Sequence, residues 1–151
     1  MVASANLGFP RIGANRELKR ALESYWAGKI ELGALQKVAK EIRTKNWQLQ
    51  IDAGIDHIPS NDFSMYDQVL DTAVMLGAIP DRFLDKQFDS AEALYFAMAR
   101  GLQTEDIDVT PLEMTKWFDT NYHYLVPELS EKINFSLNPD KILNEFNEAK
   151  Q

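Results

Sequence analysis

The apolar positions of the first fifty residues fall at helical spacing. Leu18, Ala21, Leu22, Tyr25 and Trp26 recur at i, i+3, i+4, i+7 and i+8, which predicts one buried face of a helix ending near Gly28. Asn15 stands just in front, and its side-chain carbonyl suits the cap position, where the first helical N–H groups lack partners. A second helix is predicted over 31–50, with Leu32, Leu35, Val38, Ala39, Ile42 and Leu49 facing inward. Lys37, Lys40, Arg43 and Lys45 then read as solvated charges on its outer side. Residues 6–10 form a first short strand on this pattern, and 11–14 the turn into the first helix.

Beyond Gly54 the pattern shortens. Residues 55–59 read as a second strand stopped by Pro59, since proline cannot donate to a ladder. Ser60, Asn61 and Asp62 make a turn in which Asp62 reads as a cap. A third helix is expected over 64–76, with Met65, Val69, Ala73 and Leu76 inward, and 79–87 as a loop. Asp89 and Glu92 have capping-box spacing for a fourth helix that runs to Ala99 and stops at Gly101. The acidic stretch 103–109 reads as irregular and as the most mobile segment. Residues 112–118 are compatible with a short helix, 121–126 with a third strand, and Asn138-Pro139 with the start of a last helix.

Strands alternating with helices imply an α/β fold with about three short parallel strands. A complete eightfold barrel takes about 250 residues. The 151 residues are therefore expected to be one incomplete domain, the N-terminal part of a (β/α)8 TIM-type barrel.

Composition narrows the function classes. With 45% hydrophobic and 26% charged residues the chain is an ordinary globular one, and it contains no cysteine, which removes disulfides and thiolate metal sites. No apolar run approaches the roughly 18 residues that cross a bilayer, so no membrane partner and a cytoplasmic location are expected. The net charge of −7 is uneven: residues 1–50 carry nine Lys and Arg against four Glu, and the remainder seven against nineteen carboxylates. The basic half is amphipathic helix without interleaved exposed aromatics, so no nucleic-acid partner is expected, and a small polyanion suits it better.

The candidate chemistry lies at the start of the first helix. Arg16 and Lys19 occupy its first turn, where the helix dipole already disfavours a cation. Two readings stand. These are solvated side chains whose unfavourable placement Glu17 offsets, or, with Gly13 and the free N–H groups, they are a seat for an anion. No catalytic constellation accompanies them: His57 and His123 are far apart and read as packed or hydrogen-bonded, and no carboxylate pair, nucleophilic triad or phosphate loop is present. Catalytic residues and a metal site are therefore expected to be absent, and no cofactor is assigned to these residues.

Three long motifs occur in order: Leu-Gly-Phe-Pro-Arg-Ile-Gly followed by Arg16-Glu17-Leu18-Lys19 and Tyr25-Trp26; Ile-Pro-Ser-Asn-Asp-Phe-Ser-Met-Tyr-Asp ending at Asp67; and Glu-Met-Thr-Lys-Trp-Phe-Asp-Thr-Asn-Tyr-His-Tyr-Leu-Val-Pro from Glu113 to Pro127. In these the chain resembles the cobalamin-independent methionine synthases over nearly its whole length. The resemblance implies a two-barrel enzyme that moves a methyl group from 5-methyltetrahydropteroyltriglutamate to homocysteine. It places the catalytic zinc in a C-terminal barrel outside this chain, which is the implied partner, and it implies that the fragment alone is inactive. It further implies that Arg16, Glu17, Leu18, Lys19, Lys116 and Asn121 bind the folate polyglutamate tail. The alternative is a non-catalytic folate-binding or scaffold module.

Overall fold

The computed structural model describes residues 2–151 as a helix-rich α/β chain with small antiparallel sheets, in two compact units. The first comprises the residues up to Met65 together with Ile142–Gln151, and the second Tyr66–Lys141.

In the first unit, α1 (Glu17–Trp26) packs on α2 (Leu32–Asp52). The apolar face read from the sequence is the one buried: Leu18, Ala21 and Leu22 meet Leu35, Ala39 and Ile42. Gly28 ends α1 at φ 65°, where its N–H donates to the Tyr25 carbonyl and that of Lys29 to Ser24. Two expectations for α2 fail. Leu49 is 55% exposed, and the neighbouring Gln50 turns inward instead. Gln50 is tolerated there because its amide is bonded at both ends, accepting from Asn6 Nδ2 at 2.6 Å and donating to the Asn46 carbonyl at 2.9 Å. Arg43 is not a solvated charge either. Its guanidinium grips the Glu148 carboxylate through two nitrogens, at 3.1 and 2.7 Å, and lies over the Phe63 ring. This clamp fixes the C-terminal part of α6 (Asp140–Ala149) on α2.

The expected strand over 6–10 does not form, and that over 55–59 is reduced to a single parallel bridge from His57 to Ala5, just before the first expected strand, closed by the His57 N–H to the Ser4 carbonyl. The chain holds this bridge with side chains rather than with a ladder. Asp56 accepts the Ser4 N–H and hydroxyl, and these two bonds hold its carboxyl below the usual range. Asp62 is no helix cap. It lies beside the Gly8 backbone, and its Oδ2 accepts the Phe9 N–H at 2.7 Å.

In the second unit the third helix starts later than its apolar pattern indicates. The helix α3 (Gln68–Met75) starts four residues after Ser64 and has Asp67, not Asp62, at its cap, and Leu76 falls just past its end, 38% exposed. A single turn, α4 (Asp81–Leu84), interrupts the expected loop and buries Phe83. The helix α5 (Ala91–Arg100) is capped by the Ser90 hydroxyl, one residue after Asp89, and ends at Gly101 with φ 73°. The segment read as irregular closes into a small hairpin of β1 (Leu102–Gln103) and β2 (Asp108–Val109). Gly101 is required there, since a Cβ would lie 2.9 Å from the Val109 carbonyl oxygen. The possible helix over 112–118 is instead β3 (Met114–Lys116), antiparallel to β4 (His123–Leu125). The third strand is thus real, but its partner is its sequence neighbour and the pairing is antiparallel. Leu70, Phe83, Met98, Val109, Leu112 and Leu125 form the core.

Arg82 brackets the start of the segment after β4, pairing with Glu128 through both guanidinium nitrogens and reaching the carbonyls of Thr110 and Pro111. The Arg82 hydrogen bond holds the Glu128 carboxyl below its usual value. A carboxylate lowered on folding contributes stability above its unfolded value and loses it as the pH falls through the folded one. Replacing Glu128 with Gln is therefore expected to cost at most about 1 kcal/mol near neutrality, because the pair is partly solvated, and the cost is expected to shrink as the pH falls below the ordinary carboxylate range and through the lowered folded value. Urea titrations of both proteins between pH 7 and 3 check this; a cost that persists unchanged at the acid end contradicts the assignment.

Candidate anion-binding site

The start of α1 is built by a tight turn. The N–H of Arg16 donates to the Gly13 carbonyl at 3.1 Å, and that of Leu18 to the Ile12 carbonyl at 3.1 Å. Asn15 does not cap the helix. Arg16 takes the cap position in the left-handed conformation, φ 63° and ψ 35°, with no side-chain cap bond. Asn15 instead donates its backbone N–H to Glu17 Oε2 at 2.9 Å, with its amide Nδ2 at 3.4 Å from Oε1. The Glu17 carboxylate therefore folds back over the turn. Bonds from its own backbone N–H and that of Asn15 hold its carboxyl below the usual range. Gly13 sits at φ 83°, a conformation that disfavours other residues, and a Cβ there would displace the folded-back carboxylate, standing 2.2 Å from Glu17 Oε2.

This changes what an incoming anion would meet. The N–H groups of Asn15, Glu17 and Leu18 already have acceptors, so these three are not donors waiting for an anion. Leu18 is fully buried, and its part is to anchor the turn in the core. What faces solvent is the two cations. Arg16 has no ion-pair partner among the described residues, and Lys19 pairs only with the half-exposed Glu23, at 3.6 Å one helical turn on. A non-glycine residue in the left-handed region costs about 1–3 kcal/mol, a strain found most often where a side chain has to be aimed.

Lys116 and Asn121 belong to the second unit, on the β3–β4 hairpin and its connecting turn. Both are exposed. The turn holds Phe118 at φ 49° and 83% exposed, against the edge of Trp117, which also meets Tyr124 edge-on. The structure thus sorts the candidate residues into two groups, Arg16 to Lys19 at a helix start and Lys116 with Asn121 at a hairpin end. Sequence reasoning set both histidines aside as packed or hydrogen-bonded. Both are exposed, and His123 Nδ1 lies 3.1 Å from the Asn121 carbonyl. The signal that could have separated them was the position of His123 two residues after Asn121, inside the motif that holds the other hairpin candidates.

A buried polar assembly around Asp67 was also missed. Its Oδ2 accepts from the N–H groups of Leu70 at 2.9 Å and Leu125 at 3.3 Å, and its Oδ1 from the Tyr122 hydroxyl at 2.8 Å. Tyr95 continues the chain, accepting from the N–H of Tyr66 and donating to Asp71 Oδ1 at 2.7 Å. Every bond of this assembly joins elements of the unit, which marks it as structural. Among the described residues no group of three or more His, Cys, Asp or Glu is arranged to hold a metal ion, so the zinc implied by the resemblance has no donor set here. Among them, too, no helix is long and apolar enough to cross a membrane.

The structure defines a helix-rich α/β protein that presents exposed cations on a helix start and on a hairpin. A sequence model of the cobalamin-independent synthase N-terminal domain matches residues 3–151, and the chain belongs to that family. It is 61% identical over 145 residues to a 5-methyltetrahydropteroyltriglutamate–homocysteine methyltransferase of Flavobacterium johnsoniae, covering 95% of this chain and 19% of the relative. The corresponding protein of Xylella fastidiosa strain M23 is 58% identical over 149 residues, 99% of the chain and 20% of the relative. That of Saccharomyces cerevisiae is 56% identical over 157 aligned positions, 100% of the chain and 20% of the relative. The chain spans about one fifth of the length of these curated relatives.

Proposed function

We propose that this chain is the opening part of the first barrel of a two-barrel, cytoplasmic methyltransferase, and that its task is to hold the polyglutamate tail of the methyl donor. The whole polypeptide would transfer the methyl group of 5-methyltetrahydropteroyltriglutamate to homocysteine. Bond making would be the work of a C-terminal barrel, where zinc activates the homocysteine thiol. These residues take no part in that step; they bind and orient a chain of carboxylates. Arg16 and Lys19 supply the first cations, Glu17 and Leu18 shape and anchor the turn that presents them, and Lys116 and Asn121 supply further contacts.

The observation that carries the reading is Arg16, held left-handed at the head of α1 without an ion-pair partner among the described residues, three residues before Lys19. A triglutamate tail offers several carboxylates and a monoglutamate fewer, so the two cations should matter mainly to the longer ligand. Exposed ion pairs are worth about 0.2–1 kcal/mol each and weaken with salt. In the longest natural polypeptide containing these residues, Arg16→Ala with Lys19→Ala is expected to weaken triglutamate binding by about 2- to 30-fold. Monoglutamate binding is expected to change by less than about twofold. Calorimetric titration of both ligands at low and high salt tests this. Equal losses for both ligands would remove the tail from the assignment.

A further inference from the structure

The pairing of β3 with β4 places Lys116 directly opposite His123. The bonds on either side define the type of pair. Trp117 N–H donates to the Tyr122 carbonyl and Val126 N–H to the Glu113 carbonyl, so the alternate positions exchange ladder bonds, and Lys116 with His123 is a narrow, non-hydrogen-bonded pair. In such a pair the two side chains leave the same face with Cβ atoms about 4.5–5.5 Å apart. Neither has an ion-pair partner among the described residues, and both are exposed. The setting makes this notable. The unit holds fourteen Asp and Glu against six Lys and Arg, a balance of −8, and two of those cations, Arg82 and Lys141, are matched with carboxylates.

The imidazole is also oriented. The Asn121 carbonyl can only accept, so at 3.1 Å His123 Nδ1 carries the proton, and Nε2 is the atom left for a ligand. An imidazole whose Nδ1 already donates offers a carboxylate a second donor only when Nε2 is protonated as well. Lys116, directly across the strand pair, is a second cationic donor on the same face. A carboxylate between the two can accept from both.

We infer that His123 is a further binding residue for the polyglutamate tail: one tail carboxylate sits between Lys116 Nζ and His123 Nε2, and His123 takes up a proton as it binds. The inference rests on the proposed role of Lys116 and Asn121 and adds the residue between them in space. The other titratable and charged groups around His123 do not replace the ligand. Tyr122 donates to Asp67, and Tyr124 lies on the opposite strand face, against Trp117. On α3, packed against β4, Asp67 is taken by Leu70, Leu125 and Tyr122, and Asp71 by Tyr95 and Lys141. Asp119, in the turn, forms no ion pair among the described residues.

The test uses the longest natural polypeptide containing these residues, with the tri- and monoglutamate forms of 5-methyltetrahydrofolate as probes. For the unaltered protein, titration in buffers of different ionisation enthalpy is expected to show net proton uptake with the triglutamate and not with the monoglutamate. Its preference for the triglutamate is expected to be at least fivefold greater at pH 6 than at pH 8. His123→Gln is expected to flatten that pH dependence and to weaken triglutamate binding about fivefold at pH 6. Equal proton uptake for both ligands, or a His123→Gln variant that keeps the pH-dependent preference, overturns the inference. The proton measurement needs no variant, so misfolding of His123→Gln cannot mask the answer. If the Arg16 and Lys19 double variant loses the preference while His123→Gln keeps it, the role of His123 falls and the tail site stands. If neither variant alters it, the tail site falls as well.

Discussion

Replacing Asp67 with alanine is expected to destabilise the protein by about 3–5 kcal/mol, the largest effect of any single polar substitution in the chain. The carboxylate is 2% exposed and serves three donors from different parts of the second unit. The Leu70 bond is a helix cap, worth about 1 kcal/mol. The Leu125 N–H and the Tyr122 hydroxyl would then be left without an acceptor, at about 1–3 kcal/mol for each group that water does not reach. Asp67→Asn is the informative comparison, because the amide keeps one oxygen to accept a bond while its NH2 faces donors. It is expected to fall between the two. Urea denaturation followed by tryptophan fluorescence and far-ultraviolet circular dichroism measures the series. A loss under about 1 kcal/mol for alanine would mean that solvent replaces the carboxylate and that the hydrogen-bond network does little to hold α3 against β4.

Arg43→Met is expected to cost about 2–4 kcal/mol, since it leaves the largely buried carboxylates of Glu148 and Glu145 without their nearby cation. The side chains are only 12%, 17% and 8% exposed, so screening by water is weak, unlike at Lys19 and Glu23. The methionine keeps apolar contact with Phe63 and separates loss of charge from loss of packing. Adding Glu148→Gln to Arg43→Met is expected to restore at least about 1 kcal/mol, because the second change removes the stranded charge. A double-mutant cycle by urea denaturation reads the coupling. Purely additive losses would show that Arg43 acts through its stem alone.

These two residues also mark what the sequence conveyed and what it withheld. Arg43 sits among Lys37, Lys40 and Lys45 at intervals that look like one solvated helix face, and nothing in that local pattern separates it from its neighbours. Its partners lie 102 and 105 positions away, on α6. Asp67 follows a segment whose apolar residues suggested a helix from Ser64. In the structure the same residues are not helical, Phe63 and Ser64 are buried, and the helix waits for the side chain that can cap it. The hairpin end was only half legible. The residues Lys116 and Asn121 came from a resemblance, while the placement of His123 against Lys116 required the antiparallel register. At α1 the two cations lie exposed at the helix start, while the N–H groups of Asn15, Glu17 and Leu18 are taken by Glu17 and Ile12.

The sequence by itself determined the helices with strong apolar periodicity, the glycines that end them, the family, and the two cations at the head of α1. These are decided within a turn or two of chain, where spacing and local hydrogen bonding dominate. The tertiary structure alone decided which strands pair and in which direction, that one arginine of a basic helix face is buried, and where the caps fall. Each of these depends on groups far apart in the chain. A strand's partner, a charge's counter-ion and a buried acceptor's donors come into being only when distant segments meet, and no local pattern encodes that meeting.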